Sequence, residues 1–178
     1  DVYSSDIYRQ LSDPALWNDP FTGIPQPFRV SYEVESAGPD GKVAVPADAF
    51  LWDAKAGKWQ AVGAGIEAIS KVTYDYSKFF QANFHHGQPI AMADLLYSLY
   101  QGFDMSYNPD KAKIETVMAV TARPTLETFR GFRVLDENRI EVYVDFWHFD
   151  ENYIAAYATP SSVGTPWELL YTLDDLVF

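Results

Sequence analysis

Alternation of apolar and polar residues is the dominant pattern of this chain, and it predicts β-strands. In the clearest case Phe28, Val30, Tyr32 and Val34 lie on one side, while arginine, serine and glutamate residues lie on the other. The segments 49–52 and 59–62 predict a hairpin with a long loop, 71–76 predicts a strand, and 129–135 with 139–146 predict a second hairpin. The chain is therefore expected to form a mainly antiparallel sheet.

Apolar residues three and four positions apart predict helices at 4–11, 91–100, 108–121 and 150–157. In the third helix Asn108 is the expected N-cap, and Ile114, Val117 and Met118 are expected to be buried. Asp150 is the expected cap of the fourth helix. The fold class that follows is α+β, a mainly antiparallel twisted sheet with packed helices.

Two further segments are read from their turn and cap residues. Residues 13–27 carry four prolines, which predicts a surface loop with little regular structure. Thr165 and Glu168 have the spacing of a capping box, which predicts the start of a last helix.

The charge and the composition exclude several classes of function. The formal net charge of −12 repels nucleic-acid phosphates and anionic lipid headgroups. The absence of cysteine excludes disulfides, thiolate catalysis and cysteine-bound zinc. No apolar run approaches the roughly 20 residues that cross a bilayer. No cofactor is expected, because the glycine-rich segments match neither a P-loop nor a dinucleotide-binding pattern.

The most informative segment runs from Phe84 to Ser98. Gly87 permits a positive φ angle, and Pro89 stiffens the backbone that follows. Asp94 lies about three positions inside a helix, where its carboxylate can accept from free backbone N–H groups. The segment is therefore predicted to be a strand, a tight glycine turn and an acid-capped helix.

This order of residues resembles the signature of extracellular solute-binding proteins of family 5, the peptide-, nickel- and oligosaccharide-binding components of ABC importers. The positions that fit the signature are Phe84, His85, Gly87, Pro89, Ile90, Asp94, Leu95 and Ser98. Two positions depart from it: His86 replaces the usual Asp or Asn, and Ala91 replaces the usual capping Thr or Ser. The segments 19–25, 132–142 and 152–154 resemble further family motifs in the family's order.

The resemblance implies that residues 1–178 are a single lobe of a larger two-lobed protein with a periplasmic binding protein-like II architecture. Such a protein is expected to be monomeric, extracellular or periplasmic, and commonly held to the membrane by an anchor outside this segment. Its partners would be a peptide or oligosaccharide solute and the ABC permease subunits, and it would catalyse nothing. We expect both ends of the sequence to be boundaries within a longer chain.

In two-lobed binding proteins the ligand cleft lies where the chain enters and leaves a lobe. The residues near those places are the predicted ligand contacts: Tyr3, Ser4, Ser5, Thr159 and Ser161. The aromatic residues Trp52 and Trp59, and likewise Tyr74 and Tyr76, are predicted to be core and cross-strand pairs rather than ligand platforms.

The residue patterns argue against metal chemistry. His85 and His86 are adjacent on a predicted strand and so point to opposite faces, which argues against a shared metal ion. Asp145 and Asp150 likewise have opposite strand parity around His148, so no metal site is predicted. Two alternatives remain open, namely a secreted carbohydrate-active enzyme domain using two carboxylates and a cell-surface interaction module.

Overall fold

The computed structural model describes residues 13–160 and 163–178, together with residues 3, 4 and 7. Ten strands and five helices lie in this part of the chain. The strands are β1 Leu16–Asn18, β2 Pro25–Pro27, β3 Ser31–Ser36, β4 Val43–Ala44, β5 Phe50–Asp53, β6 Lys58–Ala61, β7 Glu67–Ala68, β8 Ser70–Asp75, β9 Phe129–Val134 and β10 Arg139–Val144. The helices are α1 Met92–Tyr107, α2 Pro109–Ile114, α3 Thr116–Leu126, α4 Glu151–Ala158 and α5 Trp167–Val177.

Six of the strands form one antiparallel sheet in the order β3-β8-β10-β9-β5-β6. The predicted hairpins are confirmed: β5 pairs with β6, placing Trp52 opposite Trp59, and β9 pairs with β10. The remaining strands form two small antiparallel pairs, β1 with β2 and β4 with β7. The α+β fold predicted from the sequence is therefore present.

The main core lies between one face of the sheet and helices α1 and α4. Val72, Val142 and Phe132 occupy neighbouring positions on three strands and are fully buried. They belong to the same apolar cluster as Leu95 of α1 and Ile154 of α4. Alternation in the strands and helical spacing in α1 thus bury their apolar side chains in one layer, as the sequence pattern predicts.

A second, smaller core covers part of the opposite face of the sheet. It contains Val45, Ala49, Ala68 and Tyr143, all at most 5% exposed. Gly131 of β9 permits this packing, because a Cβ atom there would lie 3.0 Å from the Ala49 Cβ and 3.2 Å from a Val45 methyl carbon. The loop before β5 therefore approaches the sheet closely at a residue without a side chain.

The predicted helix at 108–121 is broken into two. Asn108 caps α2 as expected, but the backbone leaves helical geometry at Glu115. Ile114, Val117 and Met118 are 58%, 74% and 45% exposed, so their predicted burial is wrong. The face of α3 that meets α1 instead carries the buried Ala119 and, one turn later, Arg123, whose guanidinium donates two hydrogen bonds to the Ser106 carbonyl.

The proline-rich segment 13–27 is more regular than predicted, since it contains β1 and β2. The Asp19 carboxylate accepts hydrogen bonds from the backbone N–H groups of Phe21 and Thr22, and this turn reverses the chain between the two strands. The predicted helix at 4–11 falls largely outside the described residues. In the described part of the chain every helix is too short or too polar to cross a membrane.

Candidate functional site

The segment that follows Phe84 forms a tight turn. Gly87 has a φ of +95°, and the N–H of Phe84 donates to the Gln88 carbonyl at 2.8 Å. The predicted glycine turn is therefore confirmed. The strand predicted to lead into it is wrong, because a single antiparallel bridge joins Asn83 to Pro89 and β8 ends at Asp75. The Asp75 carboxylate accepts from the Ser77 backbone N–H at 2.8 Å, and this bond turns the chain away from the sheet.

Asp94 caps two helices at once. Its Oδ2 accepts the Ala91 backbone N–H at 2.9 Å at the start of α1, as predicted, and its Oδ1 accepts the Trp167 backbone N–H at 2.9 Å at the start of α5. The side chain is buried, with 1% of the residue exposed. The predicted capping box at Thr165 is wrong: Pro166 occupies the N-cap position of α5 and offers no side-chain bond. The Asp94 carboxylate, 73 residues earlier in the chain, caps α5 instead.

A groove lies beside the motif turn, and we call it the motif groove. It encloses about 410 Å³. Its lining combines signature residues with residues around β1 and β2 and residues between α4 and α5: Asp13, Pro14, Trp17, Phe28, Arg29, Phe79, Ala82, Asn83, Phe84, His85, Ile90, Val163 and Gly164. The β1–β2 pair supplies one wall, since it places the Trp17 ring 5.8 Å from the Phe28 ring.

Arg29 is the principal polar group of the motif groove. It forms an ion pair with Asp13, and its guanidinium lies 5.3 Å from the centre of the Phe28 ring. The Arg29 Nε atom is buried and has no hydrogen-bond partner among the described residues. Because the Nε atom has no exposed surface, a carbonyl or carboxylate oxygen of a ligand can meet only the rest of the guanidinium, and 38% of the side chain is exposed. The sequence could have indicated this position of Arg29, because Arg29 follows Phe28 at the start of an alternating strand.

The histidines do not share a metal site. His85 lines the motif groove, whereas the His86 ring stacks on Phe84 and forms a 3.0 Å hydrogen bond with the Gln88 side chain. Around His148, Asp150 caps α4 as predicted and Asp145 pairs with Arg130. Within the described residues, no group of three or more potential ligands is placed to hold a metal ion.

The structure describes three of the five predicted ligand residues. Tyr3 is 80% exposed and Ser4 is exposed, while Ser5 and Ser161 lie outside the described residues. The Thr159 hydroxyl donates to the Ala155 carbonyl at 3.0 Å, at the end of α4. Of the three that the structure describes, none lines the motif groove. The signature residues Phe84 and His85, which were predicted to be structural, do line it.

No protein-family model matches this chain, and no curated protein matches it. The likeness to family 5 solute-binding proteins is therefore a likeness in the order of short motifs. The chemistry of the site depends on the residues described above.

Proposed function

We propose that this chain is one lobe of an extracytoplasmic solute-binding protein of the family 5 kind, which captures a peptide-like solute for an ABC importer and catalyses no reaction. The observation that carries the proposal is the composition of the motif groove. Phe84, His85 and Ile90 of the signature line a groove that also receives Asp13, which precedes β1, and Val163, which follows α4. We expect these two segments to lie near connections to a second lobe. In a two-lobed protein the ligand binds where the connections between lobes meet.

The groove fits one residue of a peptide. Its aromatic walls suit an apolar side chain, and Trp17 is 54% exposed and so accessible to it. The exposed part of the Arg29 guanidinium suits a peptide carbonyl or terminal carboxylate at the same place. An oligosaccharide can also stack on Trp17, but sugar hydroxyls need several polar partners, and Arg29, Asp13, Asn83 and His85 are the polar side chains of the lining.

The motif groove is open on one side, so a second lobe would have to complete the burial of the ligand. Binding by this lobe alone is then expected to be weak, because small-molecule sites bury most of the ligand surface. In the proposed assembly the protein is a monomer outside the cytoplasmic membrane that docks on permease subunits when closed.

The alternative of a carbohydrate-active enzyme requires two carboxylates facing one another across the substrate. Among the described residues Asp13 is the single acid of the groove lining, and it is paired with Arg29. This arrangement favours binding over hydrolysis. The lining of the motif groove has no feature that favours the alternative of an interaction module.

The test is an amide NMR titration of the chain with a pool of tripeptides and, separately, with a pool of oligosaccharides. We expect tripeptides to shift the Trp17 indole and Phe84 amide signals, with millimolar affinity. Arg29→Met should weaken that binding by roughly five-fold, since it removes a charged hydrogen bond. Arg133→Met is the matched control, because Arg133 is also ion-paired and its side chain is 39% exposed, against 38% for Arg29.

Absence of any tripeptide-induced shift at these signals, or equal affinities for the two arginine variants, would contradict the proposal. A stronger response to oligosaccharides would move the solute class to sugars. Turnover of a glycoside by the chain would replace the proposal with the enzyme alternative.

A further inference from the structure

A second groove lies between the start of α1, the start of α5 and the β5–β6 hairpin, and we call it the aromatic groove. It has a volume of about 460 Å³, opens widely to solvent and is lined by Trp52, Trp59, Ala93, Leu96, Tyr97, Tyr100 and Trp167. Five of these seven residues are aromatic. Trp52 and Trp59 were predicted to form a cross-strand pair, and they do so at a ring distance of 5.4 Å, but they also face this groove.

Three ring pairs of the aromatic groove are nearly perpendicular, and a fourth, Tyr97 with Trp167, is tilted by 40°. The angle between ring planes is 77° for Trp52 with Trp59, 74° for Trp52 with Tyr100 and 71° for Tyr97 with Tyr100. Perpendicular rings form the walls of a corner rather than a flat platform. A corner suits a rounded group that touches several ring faces at once, whereas a sugar ring stacks best on one flat face.

Three of the five rings donate their polar edge to a buried carboxylate. The Trp52 Nε1 donates to Asp104 at 3.0 Å, the Tyr100 hydroxyl donates to Asp104 at 3.3 Å, and the Tyr97 hydroxyl donates to Asp174 at 2.9 Å. A ring whose N–H or O–H is bonded to an anion carries more negative charge on its faces, and ring faces attract cations. The Lys111 ammonium already lies 5.7 Å from the centre of the Tyr100 ring. The electron-rich faces left to a ligand are therefore mainly those of Trp52 and Tyr97.

The charge behind the rings is negative overall. Lys111 neutralises Asp104 at 2.9 Å, and both side chains are largely buried. Asp174 is 7% exposed, and its other oxygen accepts from the neutral Gln101 amide at 2.9 Å. No ion pair involves Asp174 within the described residues. Asp104 is thus paired with a buried ammonium group, whereas the Asp174 carboxylate behind Tyr97 has no cationic partner among the described residues.

The ionisation of the tyrosines is consistent with this charge. Burial and the hydrogen bond to Asp174 raise the pKa of Tyr97, and burial and the charge of Asp104 raise the pKa of Tyr100. Both phenols are neutral at physiological pH and continue to donate to the carboxylates. Their hydroxyls are thereby occupied and do not offer hydrogen bonds to a ligand.

We propose that the aromatic groove binds a quaternary ammonium group through the faces of its rings. Such a cation is rounded, needs no hydrogen-bond partner and is stabilised by both the ring faces and the buried negative charge. A primary ammonium would lose hydrogen bonds to water that this groove does not replace. The inference requires only the described chain and does not depend on the solute-binding function proposed above.

The test compares two probes of the same shape. Choline carries a quaternary nitrogen, and neohexanol carries an uncharged carbon in its place. In amide NMR titrations we expect choline to shift the indole signals of Trp52, Trp59 and Trp167 and to bind at least about ten-fold more tightly than neohexanol. Equal affinities for the two probes would overturn the proposal, since the groove would then be merely apolar.

Two variants locate the site. Trp167→Leu and Trp59→Leu should each weaken choline binding by roughly five-fold, and Trp167 is the safer substitution because 36% of it is exposed. Trp17→Leu, in the motif groove, is the control and should leave choline affinity unchanged. Circular dichroism confirms that each variant is folded. Unchanged choline affinity in a folded Trp167→Leu variant, or a loss of affinity in the Trp17→Leu variant, would refute the assignment.

Discussion

The two grooves lie on either side of the start of α1, and they place their charges differently. Ile90 lines the motif groove and Ala93 lines the aromatic groove. In the motif groove a cation, Arg29, lies within the lining and is paired with a partly exposed acid. In the aromatic groove the acids Asp104 and Asp174 lie behind the rings and are buried. Charge in the lining selects directional polar groups, whereas charge behind aromatic walls selects a cation that needs no hydrogen bonds.

The largest expected effect on stability comes from replacing Asp94, whose carboxylate caps the helices beside both grooves. Asp94→Ala leaves two helix N-termini without their carboxylate and should lower the free energy of unfolding by about 3 kcal/mol. Both grooves should lose ligand binding together. Urea denaturation measures the loss of stability. Asp110→Ala is the control, because the Asp110 side chain is 87% exposed, and it should change stability by less than about 0.5 kcal/mol. A loss below about 1 kcal/mol for Asp94→Ala would contradict the double capping role.

A second substitution acts on the motif side alone. Gly87 has a φ of +95°, which alanine adopts only with strain, so Gly87→Ala should lower the free energy of unfolding by about 1 kcal/mol. Choline binding in the aromatic groove should be unaffected. Gly102→Ala, within helix α1 and with open space around the glycine, should instead raise stability by about 0.7 kcal/mol. Equal changes in the free energy of unfolding for the two substitutions, measured by urea denaturation, would contradict the strain expected at the positive φ of Gly87.

A third substitution acts on the aromatic side alone. Asp174→Asn keeps an acceptor for Tyr97 but removes the charge behind the ring, and it should weaken choline binding by roughly three-fold. Tripeptide binding in the motif groove should not change. Asp175→Asn is the control, because it changes the net charge by the same amount at an exposed position, where water screens the charge. Equal choline affinities for the two variants would show that the buried position of the charge is unimportant.

The smallest effect is expected from pH. Because the pKa values of Tyr97 and Tyr100 are raised above 10.0, choline affinity should change by less than about two-fold between pH 7 and pH 9. The stability that these neutral phenols contribute is fully present below the pKa of unfolded tyrosine, which is about 10, and is lost as the pH rises further. NMR titration and denaturation at several pH values measure the two quantities. A fall in choline affinity already at pH 8 would contradict the raised pKa values.

The sheet could be predicted from the sequence because its signal is local. Residues such as Val72 and Val142 alternate with polar neighbours, and alternation decides which face of a strand is buried. The turn at Gly87 and the cap at Asp94 could be predicted for the same reason, since each depends on residues within a few positions.

The rest depends on contacts between segments distant in sequence. Nothing around Trp167 indicates that its N–H is capped by Asp94, and the local Thr165 pattern pointed to the wrong residue. Val117 lies in a good helical pattern but is 74% exposed, because Ala119 and Arg123 determine which face of α3 meets α1. The aromatic groove combines residues from a hairpin and two helices, so its composition could not be deduced from any one segment.

The shared carboxylate also has a consequence for local opening. The amides of Ala91 and Trp167 depend on the same buried side chain, although they belong to different helices. The two bonds use different oxygens of the carboxylate, but detachment of the start of α5 exposes Asp94 to water, and water then competes for the Ala91 N–H. Hydrogen–deuterium exchange at these two amides should report one common opening event, with a single protection factor for both.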